Sequence, residues 1–216
     1  TAVALAGSGT DANGDPLTYT WTQTGGTTVR LSSRTVAAPT FTAPTTATTL
    51  TFSLVVSDGR LKSPAATVTV TVVAPSNLAL LPGVTATASS ANAATGQTAA
   101  KAIDGVLSST TTAYEWVTVG GRAGSWWQAT LAAPSVVNRV VLYDRPNTID
   151  RITAATLQFS DGSTVSVGAL PNAGTALTVS FTPRQTTWVR LTVTTVSATT
   201  TNVGLAEMQI WGMPAP

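Results

Sequence analysis

The sequence predicts an all-β chain built as two β-sandwich domains. Three observations predict it. Threonine makes up about a fifth of the 216 residues, with Val, Ala and Gly also common; β-branched side chains fit a pleated surface. Apolar and polar residues alternate over many short stretches separated by turn residues, and no 3.6-residue period is sustained. A polar, proline-containing break, Ala74-Pro75-Ser76-Asn77, divides two series of these stretches that do not repeat each other. The expected domains are 1–75 and 76–213.

In the first series, Leu17-Thr18-Tyr19-Thr20-Trp21-Thr22 alternates, as do 50–56 and 67–72. Asn13-Gly14-Asp15-Pro16, Ala43-Pro44 and Asp58-Gly59 supply the turns between them. Trp21 is expected between the two sheets, where burial contributes several kcal/mol at about 25 cal/mol per Å². Asp11, Asn13 and Asp15 could aim alternate oxygens at a cation, but no Glu completes a twelve-residue calcium loop. The expectation there is an Asx turn, with Gly14 supplying a positive φ.

In the second series, strands are expected at 126–131, 136–143, 156–160, 163–167, 187–196 and 207–211. Alternation along a strand points one of Trp126 and Trp127 inward and the other outward. Trp116, Trp188 and Trp211 are expected in the core, given the apolar strands around them.

Composition excludes several chemistries. With no His there is no Ser-His-Asp triad. With no Cys there is no thiolate nucleophile and no disulfide. A structural zinc site needs one or the other, so oxygen ligands and calcium remain. Charged residues are only 9% of the chain, and the net charge is +2. No Lys/Arg cluster resembles a phosphate-binding stripe, so no nucleic acid is expected. No apolar run approaches the roughly 18 residues of a membrane span.

The first half resembles the PKD/REJ class of immunoglobulin-like modules. The residues that carry the likeness run from Leu5-Ala6-Gly7-Ser8-Gly9 through Asp11-Ala12-Asn13-Gly14-Asp15-Pro16 to Trp21, with Phe41-Thr42-Ala43-Pro44 and Val55-Val56-Ser57-Asp58-Gly59. Such modules have another strand before the Gly-Ser-Gly segment, so the chain is expected to be a fragment of a longer one.

In the second half the motifs are Asn77-Leu78-Ala79, Ala102-Ile103-Asp104-Gly105, Glu115-Trp116 and Gly124-Ser125-Trp126-Trp127-Gln128. Val140-Val141-Leu142-Tyr143-Asp144-Arg145 and Gly204-Leu205-Ala206-Glu207-Met208-Gln209-Ile210-Trp211-Gly212 follow. In this order they resemble the discoidin, or coagulation-factor C-type, domain. This is a galactose-binding-like jelly roll shared with family 32 carbohydrate-binding modules. Fold alone does not give the ligand.

The resemblance implies one structural Ca²⁺. It would be held by the carboxylates of Asp104 and Glu207, by carbonyls of Lys101 and Ala206, and by a threonine. Thr110, Thr111 and Thr112 compete for that place, and Thr112 is chosen. The alternative is that Asp104 caps a turn and Glu207 is a solvated strand residue.

A sugar site needs an aromatic face against pyranose C–H groups and polar groups for the hydroxyls. Tyr143-Asp144-Arg145-Pro146-Asn147-Thr148-Ile149-Asp150-Arg151 is the densest charged stretch of the chain. The candidate ligand-binding residues are Glu115, Arg122, Trp127, Asp144, Arg145, Asn147, Asp150 and Asn202. The resemblance points Trp126 inward and leaves Trp127 exposed. Internal salt bridges that stiffen the loop are the competing reading of Asp144–Arg145 and Asp150–Arg151.

The expected function is a non-catalytic carbohydrate-binding region of a larger secreted protein, holding a catalytic domain of the same chain on polysaccharide. The alternative is a cell-surface adhesion segment that binds a protein or a surface glycan. A glycosidase needs two carboxyl groups about 5–9.5 Å apart in a cleft, and nothing in the sequence favours Asp144, Asp150 or Glu115 for that role over ligand hydrogen bonding.

Overall fold

The computed structural model describes residues 2–107, 111–172 and 174–215, apart from the Thr112 side chain. The chain divides into two compact units, Thr1–Ala74 and Pro75–Pro216.

The first unit contains β1 (Ala2–Ala4), β2 (Thr18–Gly25), β3 (Thr40–Thr42), β4 (Thr48–Ser57) and β5 (Ala66–Val72). β1 pairs antiparallel with β3, and β2-β4-β5 form a second antiparallel sheet. Period-2 alternation puts Leu50, Phe52, Leu54 and Val56 of β4 on the core side, packed with Leu5, Trp21 and Phe41. Trp21 is 3% exposed, and its indole N–H donates to the Val36 carbonyl at 3.1 Å. Asp11 Oδ1 accepts from the amides of Asn13 and Asp15, which makes the Asx turn, with Gly14 at φ 79°.

The second unit continues with β6 (Ser76–Asn77), β7 (Thr85–Ala88), β8 (Trp116–Val117), β9 (Trp126–Tyr143), β10 (Ile152–Phe159) and β11 (Thr164–Val167). It ends with β12 (Ala176–Val196), β13 (Gly204–Leu205) and β14 (Glu207–Pro214). Short 3₁₀ turns at Leu78–Leu80, Ala93–Thr95, Ala99–Ile103 and Thr112–Tyr114 join the early strands. Among the described residues, no helix is long and apolar enough to cross a membrane.

Two long strands organise this unit. The first half of β9 pairs with the second half of β12 and with β7, while its second half pairs with the first half of β12 and with β14. Register shifts at Ser180/Arg184 and Thr186/Trp188 separate the two pairings. Bulges of this kind bend a strand, so β9 and β12 contribute to both faces of one sandwich. The stretches expected as separate strands at 126–131 and 136–143 are therefore one strand with a corner. Pro134 sits at that corner, where Ala132, Ala133 and Pro134 are exposed. Asn77 ties the two ends of the unit together, its Oδ1 accepting from the amides of Ala79 and Ile210.

Four tryptophans depart from expectation. Trp127, not Trp126, faces inward: it is fully buried, and its N–H donates to the Ala99 carbonyl at 2.8 Å. It shares strand parity with the buried Ala129 and Leu131, so the core claims it. Trp188 and Trp211 are half-buried. Each stacks on an arginine, Arg190 at 5.6 Å from the Trp188 centroid and Arg139 at 4.5 Å from that of Trp211. Trp188 alternates with the buried Val189 and Leu191, which puts it on the outer face. Trp116 is fully buried, as expected.

Candidate functional site

The segments that leave β9, precede β8 and follow β12 meet at one end of the second unit. β9 carries Tyr143 to the rim, and Asp144 and Arg145 follow it directly. Arg145 is only 7% exposed. Its Nε and Nη2 donate to Glu115 Oε1 at 3.2 and 2.9 Å. Its Nη1 donates to Asp150 Oδ2 at 2.9 Å and to the Asn202 carbonyl at 3.3 Å. One guanidinium thus clamps three segments that are distant in sequence, as its fixed fork of donors allows.

The rest of the end is knitted by amides. Asn147 Oδ1 accepts from the amides of Ile149 and Asp150, a local turn that Pro146 enters. Asp150 Oδ1 accepts from the Thr201 and Asn202 amides and from the Thr201 hydroxyl. Asn202 Oδ1 accepts from the Gly120 amide at 2.7 Å. Gly204 lies so close to the chain that a Cβ there would strike the Trp116 carbonyl oxygen and come within 2.7 Å of the Arg145 side chain. Only glycine fits that approach.

Burial controls the charges. Glu115 and Asp144 are each 1% exposed, and Glu115 Oε2 and Asp144 Oδ2 have no hydrogen-bond partner. Desolvation raises the Glu115 carboxyl, opposed by Arg145 and by the Gln97 amide that donates at 2.9 Å. Desolvation also pushes Asp144 up to about 7, although the Arg145 amide and the guanidinium groups of Arg145 and Arg151 work against it. For Asp150, burial acts upward but is outweighed by the Thr201 and Asn202 amides and by Arg145, so its carboxyl is lowered.

The structure therefore gathers seven of the eight residues expected at a ligand site into one end, but in two groups. Glu115, Asp144 and Arg145 are buried inside it, with Arg145 bonded to Glu115. The competing expectation paired Asp144 with Arg145 and Asp150 with Arg151; the ion pairs that form are Arg145–Glu115 and Arg145–Asp150. Asn147, Asp150 and Asn202 lie at the rim, half-buried, and Arg122 is exposed, its Nη2 donating to the Ala198 carbonyl at 3.3 Å. Trp127 does not belong: it is in the core. Sequence reasoning missed Gln97, which carries no charge to mark it. It also missed Val119 and Ile149, 66% and 61% exposed on the same loops.

A second feature lies where β14 begins. Glu207 is 1% exposed, and neither of its oxygens has a well-formed hydrogen bond, although the backbone amides of Gly105 and Asp104 lie near enough to favour its charged form. Burial, with the charge of Asp104 adding to it, pushes its carboxyl up to about 8. Asp104 Oδ1 accepts from the Val106 amide at 3.0 Å and Oδ2 pairs with Lys101 Nζ at 3.3 Å. Glu207 is thus no solvated strand residue. Among the described residues no group of three or more Asp, Glu, His or Cys converges; a cation here would need carbonyl or hydroxyl oxygens besides these two carboxylates. Ala206 is buried beside Glu207. Thr110 and the Thr112 side chain lie outside the described residues.

Comparisons with known proteins follow the same division. The family model described as "Domain of unknown function (DUF7402)" matches residues 77–211, and that described as "K319L-like, PKD domain" matches residues 1–72. No curated protein matches. One similar solved structure is chitosan-binding module 1, derived from a chitosanase/glucanase of Paenibacillus sp. IK-5. It is 31% identical, with a TM-score of 0.50 over 63% of this chain and 99% of that one. A fucolectin from striped bass (Morone saxatilis) serum is 25% identical, with a TM-score of 0.54 over 66% of this chain and 50% of that one. The family 32 module of C. perfringens NanJ, solved with galactose, is 20% identical, with a TM-score of 0.50 over 63% and 98%. That likeness is one of fold.

Proposed function

Since the chain belongs to the family described as "Domain of unknown function (DUF7402)", with a PKD-like domain ahead of the matched residues, we propose that its second unit is a non-catalytic carbohydrate-binding module. The observation that carries the reading is the Arg145 clamp, which holds three loops in fixed relation at one end of the sandwich. Its likeness to a chitosan-binding module and to a fucolectin supports the same reading.

Roles divide by exposure. Glu115 and Arg145 position the loops, and Asp144 is buried beside them. Asp150 and the Asn202 amide are already engaged within the loops, so the groups left to meet sugar hydroxyls are the Asn147 side-chain nitrogen and the Arg122 guanidinium. Val119 and Ile149 offer apolar surface to the C–H face of a pyranose. A shallow site of this kind binds weakly, because it buries little surface. Several sites on one insoluble polymer would make up for that by avidity. The natural setting of such a module is a secreted protein, where it keeps an attached catalytic domain on polysaccharide.

Calcium fits the second feature. A buried carboxylate with no well-formed hydrogen bond, beside another acid, suits a hard cation with oxygen ligands. Asp104 and Glu207 would hold it, with the carbonyls of Lys101 and Ala206 adding oxygen ligands. Its work would be to neutralise the two acids and to tie the turn after Ile103 to β14.

A glycan array probed with the full chain tests the function. Saturable binding to particular sugars, reduced at least tenfold by Asn147→Ala with Arg122→Ala, supports it. Capture of a protein partner with no sugar on the array bound, or release of product from a glycan, would overturn it.

A further inference from the structure

The outer face of the sheet formed by β7, the first half of β9, the second half of β12, β10 and β11 lies apart from the loop end. Register fixes its composition. Thr85 and Thr87 of β7 stand opposite Thr130 and Gln128 of β9. Trp126, Gln128 and Thr130 stand opposite Thr192, Arg190 and Trp188 of β12. Beyond them come Thr156 and Gln158 of β10, then Ser166 and Thr164 of β11. These five strands contain no Asp or Glu at all.

The one cation of this face is built in. The Arg190 guanidinium lies 4.4 Å from the Trp126 ring centroid and 5.6 Å from that of Trp188. Its Nε donates to Gln128 Oε1 at 3.0 Å, which fixes its plane. Among the described residues, no carboxylate pairs with it and no hydrogen bond engages either Nη. Trp126, Trp188 and Arg190 are half-buried, while Thr85, Thr87, Thr130, Thr164 and Ser166 are exposed. The face therefore offers indole surface, a row of hydroxyls and amides, and one oriented guanidinium with donors to spare. Arginine held in this way recognises carboxylate or sulfate through paired donors.

We propose that this sheet face is a second binding surface, for an anionic polysaccharide, a sugar chain bearing carboxylates or sulfates. The chain lies across Trp126 and Trp188 with one anionic substituent on Arg190. Hydroxyl-rich strands hydrogen-bond the neighbouring sugars. Charge complementarity argues for this occupant: strands with a guanidinium paired to no carboxylate, and with no acid of their own, favour a polyanion over a cationic polymer. The surface lies on strand faces rather than on the loops, and it does not depend on the loop end binding sugar.

Affinity electrophoresis of the full chain tests it, with carboxymethylcellulose and cellulose sulfate as polyanions and hydroxyethylcellulose as a neutral chain of the same backbone. The expected result is retardation by the polyanions and little by the neutral chain. Arg190→Gln and Trp126→Ala should each weaken it about tenfold or more, Arg190→Lys partially, and Arg60→Gln, which removes the same charge from the first unit, not at all. Thr87→Glu and Ser166→Glu change only exposed hydroxyls and should also weaken it, so the test stands even if an Arg190 variant unfolds. Asn147→Ala should leave it intact, whereas sugar binding at the loop end should suffer. Equal retardation by the neutral chain, no retardation, or retardation indifferent to the two glutamate variants would overturn the proposal.

Discussion

Arg145 holds Glu115 through two nitrogens on a single oxygen, Nε at 3.2 Å and Nη2 at 2.9 Å from Oε1. The pair is buried and spans thirty positions of sequence. Its geometry makes it a loop clamp rather than a ligand contact. Removing one partner of a buried ion pair leaves an uncompensated charge and costs about 3–5 kcal/mol. Arg145→Ala is therefore expected to lower unfolding stability by about that amount, read from denaturant melts. A stability unchanged from wild type would show that the clamp carries little.

Trp127 and Trp126 should behave oppositely. Trp127 fills the core and bonds Ala99, so Trp127→Ala should cost about 3–5 kcal/mol, the usual range for truncating a buried aromatic. Trp126 lies outside, stacked on Arg190. Such a contact is worth about 0.5–2 kcal/mol, so Trp126→Ala should cost less than half as much. Thermal or urea melts of the two variants decide the order.

Stability should fall as pH rises through the neutral range. Asp144 has its carboxyl pushed up to about 7 by burial, from an ordinary value of 3.8. The folded state holds that proton more tightly than the unfolded chain does. Its contribution is complete below the unfolded value and is lost progressively until pH passes about 7. Glu115, also raised, and Glu207, pushed up to about 8, add in the same direction. Asp150, which is lowered, acts only on the acid side, where stability is lost as its carboxylate protonates. Urea melts across pH 4–8 without added calcium should show the decline, and Asp144→Asn should remove part of it, the share of Glu115 and Glu207 remaining.

Calcium should raise the melting temperature of the chain, and EDTA should reverse the gain. A ligand that binds only the folded state stabilises by about 2.7 kcal/mol at a hundredfold excess over its Kd. Glu207→Gln, which keeps the shape but removes the charge, should abolish the response. A calcium-independent melt of the wild type would remove the metal from the account.

Much of the fold was legible because Thr and Val alternate so regularly along the strands. The corner in β9 was not, since Pro134 and its exposed alanines look like a break between two strands. The register shifts that let one strand serve both layers arise only from pairing with β12. The Trp126–Trp127 order was in fact written in the sequence: Trp127 keeps step with Ala129 and Leu131, and Trp126 with Gln128 and Thr130. Family likeness pointed the other way, and local parity prevailed. The same alternation around Val189 and Leu191 puts Trp188 and Arg190 outside.

At the loop end, scarcity of charge marked the right residues without revealing what they do. Glu115 and Arg145 stand out in a chain with so few ionisable groups. Their mutual bond is a tertiary fact, created when the segment before β8 folds against the end of β9. Gln97, which shares Glu115 with Arg145, carries no charge and left no trace. Exposure of Val119 and Ile149 was equally invisible, because apolar residues in loops read the same whether they face in or out.

Binding of the full chain to a panel of insoluble polysaccharides, measured by depletion from solution, tests the central claim most directly. The account predicts saturable depletion by at least one polymer, competed by its soluble oligosaccharide and lost in the Asn147→Ala, Arg122→Ala double variant. A correctly folded chain that stays in solution with every polymer would contradict it.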